Sequence, residues 1–157
     1  MPLLITSHKT PVGTLNLLAD DQILIGANLS TVSAFKAGGE VKVVKSIPVI
    51  SDLIKDYFDG DLTALNGIQV RQPGAAFSQA AWKAMRKIAP GKTWSYSDLA
   101  EKAGSPAAVR AAGSACANNA IMLVVPCHRV LKTGGALGNY AYGVEKKQWL
   151  LSHEGFL

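Results

Sequence analysis

A Pro73-Gly74 pair divides this chain into two stretches whose apolar residues repeat with different periods. Proline lacks the N–H that a helix or ladder needs, and glycine accepts backbone angles other residues avoid, so the pair ends one unit before the next begins. Ahead of it, residues 14–18 and 23–28 are apolar runs on either side of Asp20-Asp21, which predicts a β-hairpin. Residues 41–44 read as a third strand. Residues 49–58 have helical spacing through Ile50, Leu53, Ile54, Tyr57 and Phe58, with Gly60 as a stop. Beyond the break, Phe77, Ala81, Met85 and Ile88 recur at helical spacing as far as Pro90-Gly91. Ser95, three residues before Asp98, resembles a capping box that opens a short helix ending at Gly104. Ser105-Pro106 reads as an N-cap followed by proline at the first helical position, opening a second helix to about Ala117. Two short helices across a Gly-Ser-Pro turn form a helix-turn-helix pattern. Residues 121–125 read as a buried strand, 133–143 as a glycine-rich loop, and 144–153 as a last helix stopped by Gly155. The expectation is an α+β protein with an α/β domain over residues 1–72 and a mostly helical domain over 73–157.

The charge is divided at the same point. Residues 1–72 carry six Lys/Arg against seven Asp/Glu, and residues 73–157 carry ten against four. All the excess positive charge lies in the second half, which points to a polyanionic partner, with nucleic acid ahead of membrane. Solubility alone accounts for a balance this mild equally well. With 48% hydrophobic and 17% charged residues the chain is not of disordered composition. No stretch reaches the ~20 apolar residues of a membrane span. The start of the sequence lacks the basic and apolar regions of a secretory signal, so a cytoplasmic location is expected. Two cysteines, Cys116 and Cys127, are too few for a disulfide scaffold or an all-thiolate zinc site. Neither metal nor cofactor is expected.

Residues 106–117 are mostly Ala, Gly and Ser, with Arg110 as the one charged side chain. A helix that reads base edges usually presents several Arg, Asn, Gln or Lys side chains, which this one cannot do. Small residues instead permit close backbone approach to a groove, with one long cation projecting into the duplex. Tight packing in a core explains the same composition equally well. Cys127-His128 follows the apolar run. A thiol becomes a nucleophile when an imidazole, cation or helix N-terminus stabilises its thiolate. Adjacent residues of a strand point to opposite faces, so the pair cooperates only if the chain turns at Pro126 or a water bridges the two groups. Such a dipeptide is more often structural than catalytic.

Pro126-Cys127-His128-Arg129-Val130 after an apolar run resembles the active-site signature of the O6-alkylguanine-DNA alkyltransferases. The resemblance extends over residues 77–155 through Trp82, Gly91, Ser95-Tyr96, Arg110, Asn119, Gly138-Asn139-Tyr140, Lys147, Trp149-Leu150-Leu151 and His153-Glu154-Gly155. Residues 1–72 resemble the family's smaller, more variable N-terminal domain, which carries zinc in some relatives. With no cysteine here, zinc is not implied. The resemblance implies a ribonuclease H-like first domain and a winged-helix-like second one.

It also implies roles. Cys127 is the alkyl acceptor, His128 deprotonates it through a bridging water, and Glu154 orients the imidazole. Read without the resemblance, Glu154 is a solvated charge at a helix end and Tyr96 a core residue. With it, Tyr96 donates to the departing guanine and Asn119 pins the turn that carries the cysteine. The carbonyls of Cys127 and Val130 accept from the guanine amino group, and Met122, Asn139, Tyr140, Ala141, Tyr142 and Lys147 shape the pocket. Arg110 fills the gap left by a flipped nucleotide, and Ser95, Ala107, Ala108 and Gly113 face the DNA. The implied partner is double-stranded DNA containing O6-alkylguanine, bound in the minor groove with little sequence specificity by a monomer. The implied reaction occurs once per molecule, because the thioether product has no bond that water cleaves.

Three departures bear on pocket width. The family often has Gly-Asn-Pro-x-Pro where this chain has Asn118-Asn119-Ala120-Ile121-Met122, so two prolines are missing. Tyr142 stands where glycine is common, and Ala117 where some relatives have arginine. Methyl transfer is the expectation, and it does not extend to bulky adducts. Three other readings predict different behaviour: a protein that binds alkylated DNA without transfer, a Cys-His acyltransferase or hydrolase, and a sequence-specific regulator.

Overall fold

A computed structural model describes residues 2–157, a mixed α+β fold of two compact units. One unit ends at Gln72 and takes in Ala120–Val124, and the other comprises Pro73–Asn119 and Val125–Leu157. The single cut expected at residue 72 is thus corrected for one short segment, residues 120–124.

The first unit is built on a five-stranded sheet in the order β4-β1-β2-β3-β5. Strands β1 (Leu3–Thr10), β2 (Gly13–Asp20) and β3 (Ile23–Asn28) form an antiparallel meander. The predicted hairpin is β2–β3, and Asp21 takes φ 55 at its turn, a conformation Asp tolerates better than most residues. Central β2 is buried from Leu15 to Ala19, so its one polar residue there must be satisfied inside. Asn16 donates to Asn28 Oδ1 at 2.9 Å and accepts from Ser7 Oγ at 2.6 Å. Short parallel strands close both edges: β4 (Val41–Val43) on β1 and β5 (Gln69–Val70) on β3. Helix α1 (Ile50–Phe58) buries Ile50, Ile54 and Tyr57, one stripe at helical spacing.

Residues 121–125 are not the strand expected from their apolar run. Ile121 makes a single bridge to Ala27, whose N–H donates to Ala120 O at 2.9 Å. The chain then turns tightly, with Leu123 at φ 73 and Val124 N–H donating to Met122 O at 2.9 Å. The run is apolar because it is buried, not because it is extended.

In the second unit, helix α2 (Ala76–Met85) carries Trp82, whose Nε1 donates to Ala115 O at 2.9 Å on α4 (Val109–Ala117). The Trp82 ring packs so closely on Gly74 that a Cβ there would lie 2.6 Å from it, which gives the glycine of the Pro73-Gly74 break a packing reason. Strand β6 (Trp94–Ser95) leads into α3 (Tyr96–Lys102) through a complete capping box: Asp98 N–H donates to Ser95 Oγ, and Ser95 N–H to Asp98 Oδ2. Ser105-Pro106 does not open the next helix as predicted. Ser105 O accepts from Ala108 N–H at 2.9 Å, closing a turn first, and α4 starts at Val109. Ala112 and Ala115 face inward while Arg110, Ser114 and Ala117 stay exposed, so the small residues of α4 serve a packed face and an open one. Helix α5 (Val144–His153) has the predicted bounds. Among the described residues no helix is long and apolar enough to cross a membrane.

Candidate active site

The site is held together by a two-residue parallel ladder. Strand β7 (Val130–Leu131) pairs with β6 in the register Trp94↔Val130 and Ser95↔Leu131. This places the start of α3, and with it Tyr96, beside the segment that ends at Val130. That segment begins at Pro126 (φ −83, ψ 66) and continues as one 3₁₀ turn, Cys127–Arg129. The chain therefore does turn at Pro126. Three residues per turn spread the side chains of Cys127, His128 and Arg129 around an axis, so the strand objection to a Cys-His pair falls away. All three are buried.

His128 Nε2 lies 2.9 Å from Glu154 Oε2, at the C-terminal end of α5. An ionised carboxylate only accepts, so Nε2 carries the proton and Nδ1 is a bare lone pair. Nδ1 is buried without a hydrogen-bond partner among the described residues. The guanidinium of Arg129 holds the same carboxylate: Nε donates to Oε1 at 2.8 Å and Nη2 to Oε2 at 2.9 Å, while Nη1 donates to Ile88 O at 2.7 Å. Gly91, at φ 81, lies so close that a Cβ would meet Glu154 O at 3.0 Å.

These contacts set the protonation states. Burial pushes the Cys127 thiol up, and the Asn119 hydrogen bond, the Lys147 charge and a backbone hydrogen bond only partly offset this. At rest it is a thiol and needs a base. Burial, joined by the charges of Arg129 and Lys147, lowers His128 more than the hydrogen bond and charge of Glu154 raise it, so the imidazole is neutral. For Glu154, burial alone would raise the carboxyl, but the hydrogen bonds from His128 and Arg129 outweigh it and hold the group well below the usual carboxylate range. Partial burial, then the nearby Cys116 and Cys127, raise Tyr96, which remains a phenol and a donor. Cys116 is pushed up by burial and by Cys127. A neutral imidazole with a free lone pair, a protonated thiol next in sequence and a fixed carboxylate behind form a relay able to create a thiolate on demand.

The family described as 6-O-methylguanine DNA methyltransferase, DNA binding domain, matches residues 76–156. A methylated-DNA–protein-cysteine methyltransferase of Shigella flexneri is 36% identical over 159 residues, covering 94% of this chain and 93% of the relative. This chain belongs to the 6-O-methylguanine DNA methyltransferase family. The crystal structure of the Mycobacterium tuberculosis O6-methylguanine methyltransferase superposes with a TM-score of 0.85 at 30% identity, over 97% of this chain and 92% of that one. A structure of the M. tuberculosis protein in complex with DNA matches with a TM-score of 0.86, also at 30% identity, over 96% and 92%.

Against the pattern the family resemblance implied, the structure groups Cys127, His128, Glu154, Asn119, Tyr96 and Lys147 by hydrogen bonds or electrostatic reach. Asn119 Nδ2 donates to Val125 O at 2.8 Å, and its side chain also hydrogen-bonds the Cys127 thiol. Lys147 is a buried scaffold cation, donating from Nζ to Val130 O at 2.9 Å and Leu137 O at 2.6 Å. Val130 O and Cys127 O, expected to receive a guanine amino group, already accept from Lys147 Nζ and Val130 N–H, so each offers only its second lone pair. Tyr142 lies within electrostatic reach of Cys127, and its ring meets that of Tyr140 edge-on at 5.7 Å. Asn139 and Ala141 are on the same loop. Met122 belongs to the first unit. Ala107 and Ala108 sit in the turn before α4, and Gly113 on the helix itself. Sequence reasoning passes over Arg129: it reads as one cation of a motif, and nothing local signals its burial.

Proposed function

We propose that this protein performs direct-reversal DNA repair, moving the alkyl group of an O6-alkylguanine in DNA onto Cys127 and ending its own activity by doing so. The observation that carries this reading is the buried His128–Glu154 pair next to Cys127 in the chain, in which a neutral His128 commits Nε2–H to Glu154 and keeps Nδ1 open. Through a bridging water, Nδ1 takes the thiol proton. Sulfur then attacks the alkyl carbon, the S–C bond forms as the C–O6 bond breaks, and the electron pair leaves with guanine. Tyr96 donates to the departing base, and the proton held by His128 restores the balance. Glu154 stabilises the transient imidazolium, and Lys147 the thiolate. The thioether that results is inert to water, so one molecule repairs one lesion.

The second unit, read as winged-helix-like, supplies the DNA contacts, and the first is read as a ribonuclease H-like domain. With Arg129, Lys147 and Glu154 buried, eight basic and three acidic side chains of residues 73–157 remain at the surface. The small-residue helix α4 enters the minor groove with little sequence preference, Ser95, Ala107, Ala108 and Gly113 approaching the backbone. The target nucleotide leaves the stack at a cost on the order of a few kcal/mol, and Arg110 takes its place. Val130, Asn139, Tyr140, Ala141 and Tyr142 line the base pocket, where the Tyr142 ring favours methyl over bulky adducts. The protein acts as a monomer in the cytoplasm.

Incubation with a duplex carrying labelled O6-methylguanine, followed by mass analysis of the peptide over residues 123–132, tests this reading. One methyl per chain on Cys127 is expected, with a plateau at one equivalent. Cys127→Ala should bind the duplex and gain no label. Continued turnover, or no added mass at that thiol, overturns the proposal. Faster inactivation by benzylguanine than by methylated duplex overturns the assignment of Tyr142.

A further inference from the structure

The buried ion pair beside the relay has a role of its own. Glu154 Oε2 accepts from both His128 Nε2 and Arg129 Nη2, each at 2.9 Å, while Oε1 is taken by Arg129 Nε. Were the carboxylate to face the imidazole alone, its full charge would favour the protonated ring. An imidazolium has no lone pair at Nδ1 and cannot take a proton from a thiol. Beside burial, the guanidinium opposes this in two ways. It shares the oxygen that pulls on Nε2–H, and it adds a positive charge that opposes protonation of the ring. Its third contact, to Ile88 O, anchors the guanidinium to the backbone after α2, so it cannot swing away as the relay changes charge.

We infer that Arg129 is a positioning and charge-balancing residue for alkyl transfer: by holding both oxygens of Glu154 it offsets the carboxylate's pull on the buried His128 ring, which stays able to accept the Cys127 proton. The inference rests on the reading above that His128 is the base. Among the described residues, the charged groups that act on His128 are Glu154, Arg129 and Lys147, and the buried Cys127 thiol is its neighbour in the same turn. Glu154 favours the imidazolium, and Arg129 and Lys147 oppose it. Lys147 is tied to the carbonyls of Val130 and Leu137, which leaves Arg129 as the cation bonded directly to the carboxylate.

Two variants of the full chain, Arg129→Met and Arg129→Lys, test this against wild type. The rate of methyl transfer from O6-methylguanine duplex is followed as a function of pH, and the ring nitrogens of His128 are observed by NMR. In wild type, His128 is expected to be neutral at neutral pH. In Arg129→Met the imidazolium form appears, and transfer at neutral pH falls at least about tenfold but recovers as pH rises, since a base that holds its proton tenfold more tightly has a tenfold smaller deprotonated ratio at fixed pH. Arg129→Lys retains the charge and should keep the wild-type pH profile at a reduced rate. A uniform loss at every pH with a neutral ring in Arg129→Met overturns the inference and leaves Arg129 a structural residue. Should that variant not fold, a protonated His128 in wild type, or a displaced pH profile in Arg129→Lys, overturns it as well. Wild type that transfers no methyl while its His128 is neutral sinks the proposed function, and the NMR comparison still decides Arg129.

Discussion

The two units differ in what they bury. The polar residues hidden in the first are uncharged: Thr6, Asn16, Asn28, Ser51 and Gln72. In the second they are His128, Arg129, Lys147 and Glu154. Amides and hydroxyls inside the first unit satisfy one another or the backbone, as in the bonds linking Ser7, Asn16 and Asn28. Such bonds contribute modestly to stability and leave no group poised to react. The ionic interior of the second unit is costly to desolvate and adds little net stability over an apolar replacement. What it does provide is control over protonation, since burial and fixed partners decide which form each group takes. Two of the three histidines, one in each unit, make the same point. His8 Nε2 is 2.8 Å from the Ser51 hydroxyl and half-buried, whereas His128 Nε2 is 2.9 Å from a carboxylate and wholly buried. Similar hydrogen-bond lengths thus serve different ends, and His128 is the one that has a thiol next to it in the chain.

This contrast can be broken by experiment. The largest effect expected is on rate: His128→Ala should slow methyl transfer by about 10²–10⁴-fold, the usual worth of a positioned base. A single-turnover rate near wild type would remove His128 from the chemistry. Next, Glu154→Gln leaves the buried Arg129 charge without its partner, and urea unfolding should report a loss of about 3–5 kcal/mol. The sign of the pH effect follows from the depressed Glu154 carboxyl. Its contribution is complete above the ordinary unfolded value of about 4.3 and is lost as pH falls through the lower folded value. Acid unfolding should therefore be steeper in wild type than in Glu154→Gln, and equal slopes would mean the carboxyl is not depressed.

Smaller changes sharpen the difference from the other side. Asn16→Ala leaves Asn28 without one buried partner and should cost about 1–3 kcal/mol of stability. Its methyl transfer per folded molecule should be unchanged, and a slowed rate would show that the first unit's interior reaches the chemistry. Least of all, Ser95→Ala removes half of the capping box and should cost about 1 kcal/mol, read as a lower melting temperature.

Sequence patterns that depend on neighbours are legible. The β2–β3 hairpin follows from Asp20-Asp21, the start of α3 from Ser95 and Asp98, and the bounds of α5 from its spacing and Gly155. Nothing in the pattern announces strand β1, and residues 121–125 read as a strand because an apolar run looks the same in a buried turn. The expected start of α4 falls too early because Ser105-Pro106 satisfies a cap pattern whose hydrogen bond goes to a turn instead. Arg129 escapes sequence reasoning for a related reason. Its partner lies 25 residues further on, and a cation reads alike whether exposed or buried.

From residue order alone come the break at Pro73-Gly74, the charge imbalance, and the identity of a cysteine and histidine side by side. Those are properties of adjacent residues and their spacing. Whether the imidazole is a base, the carboxyl an anion and the thiol still protonated is decided by the fold. A proton's free energy depends on desolvation and on charges within a few ångströms. Here the carboxylate is brought in by α5, and the guanidinium that holds it is anchored by the chain after α2, both remote in sequence from the atoms they govern.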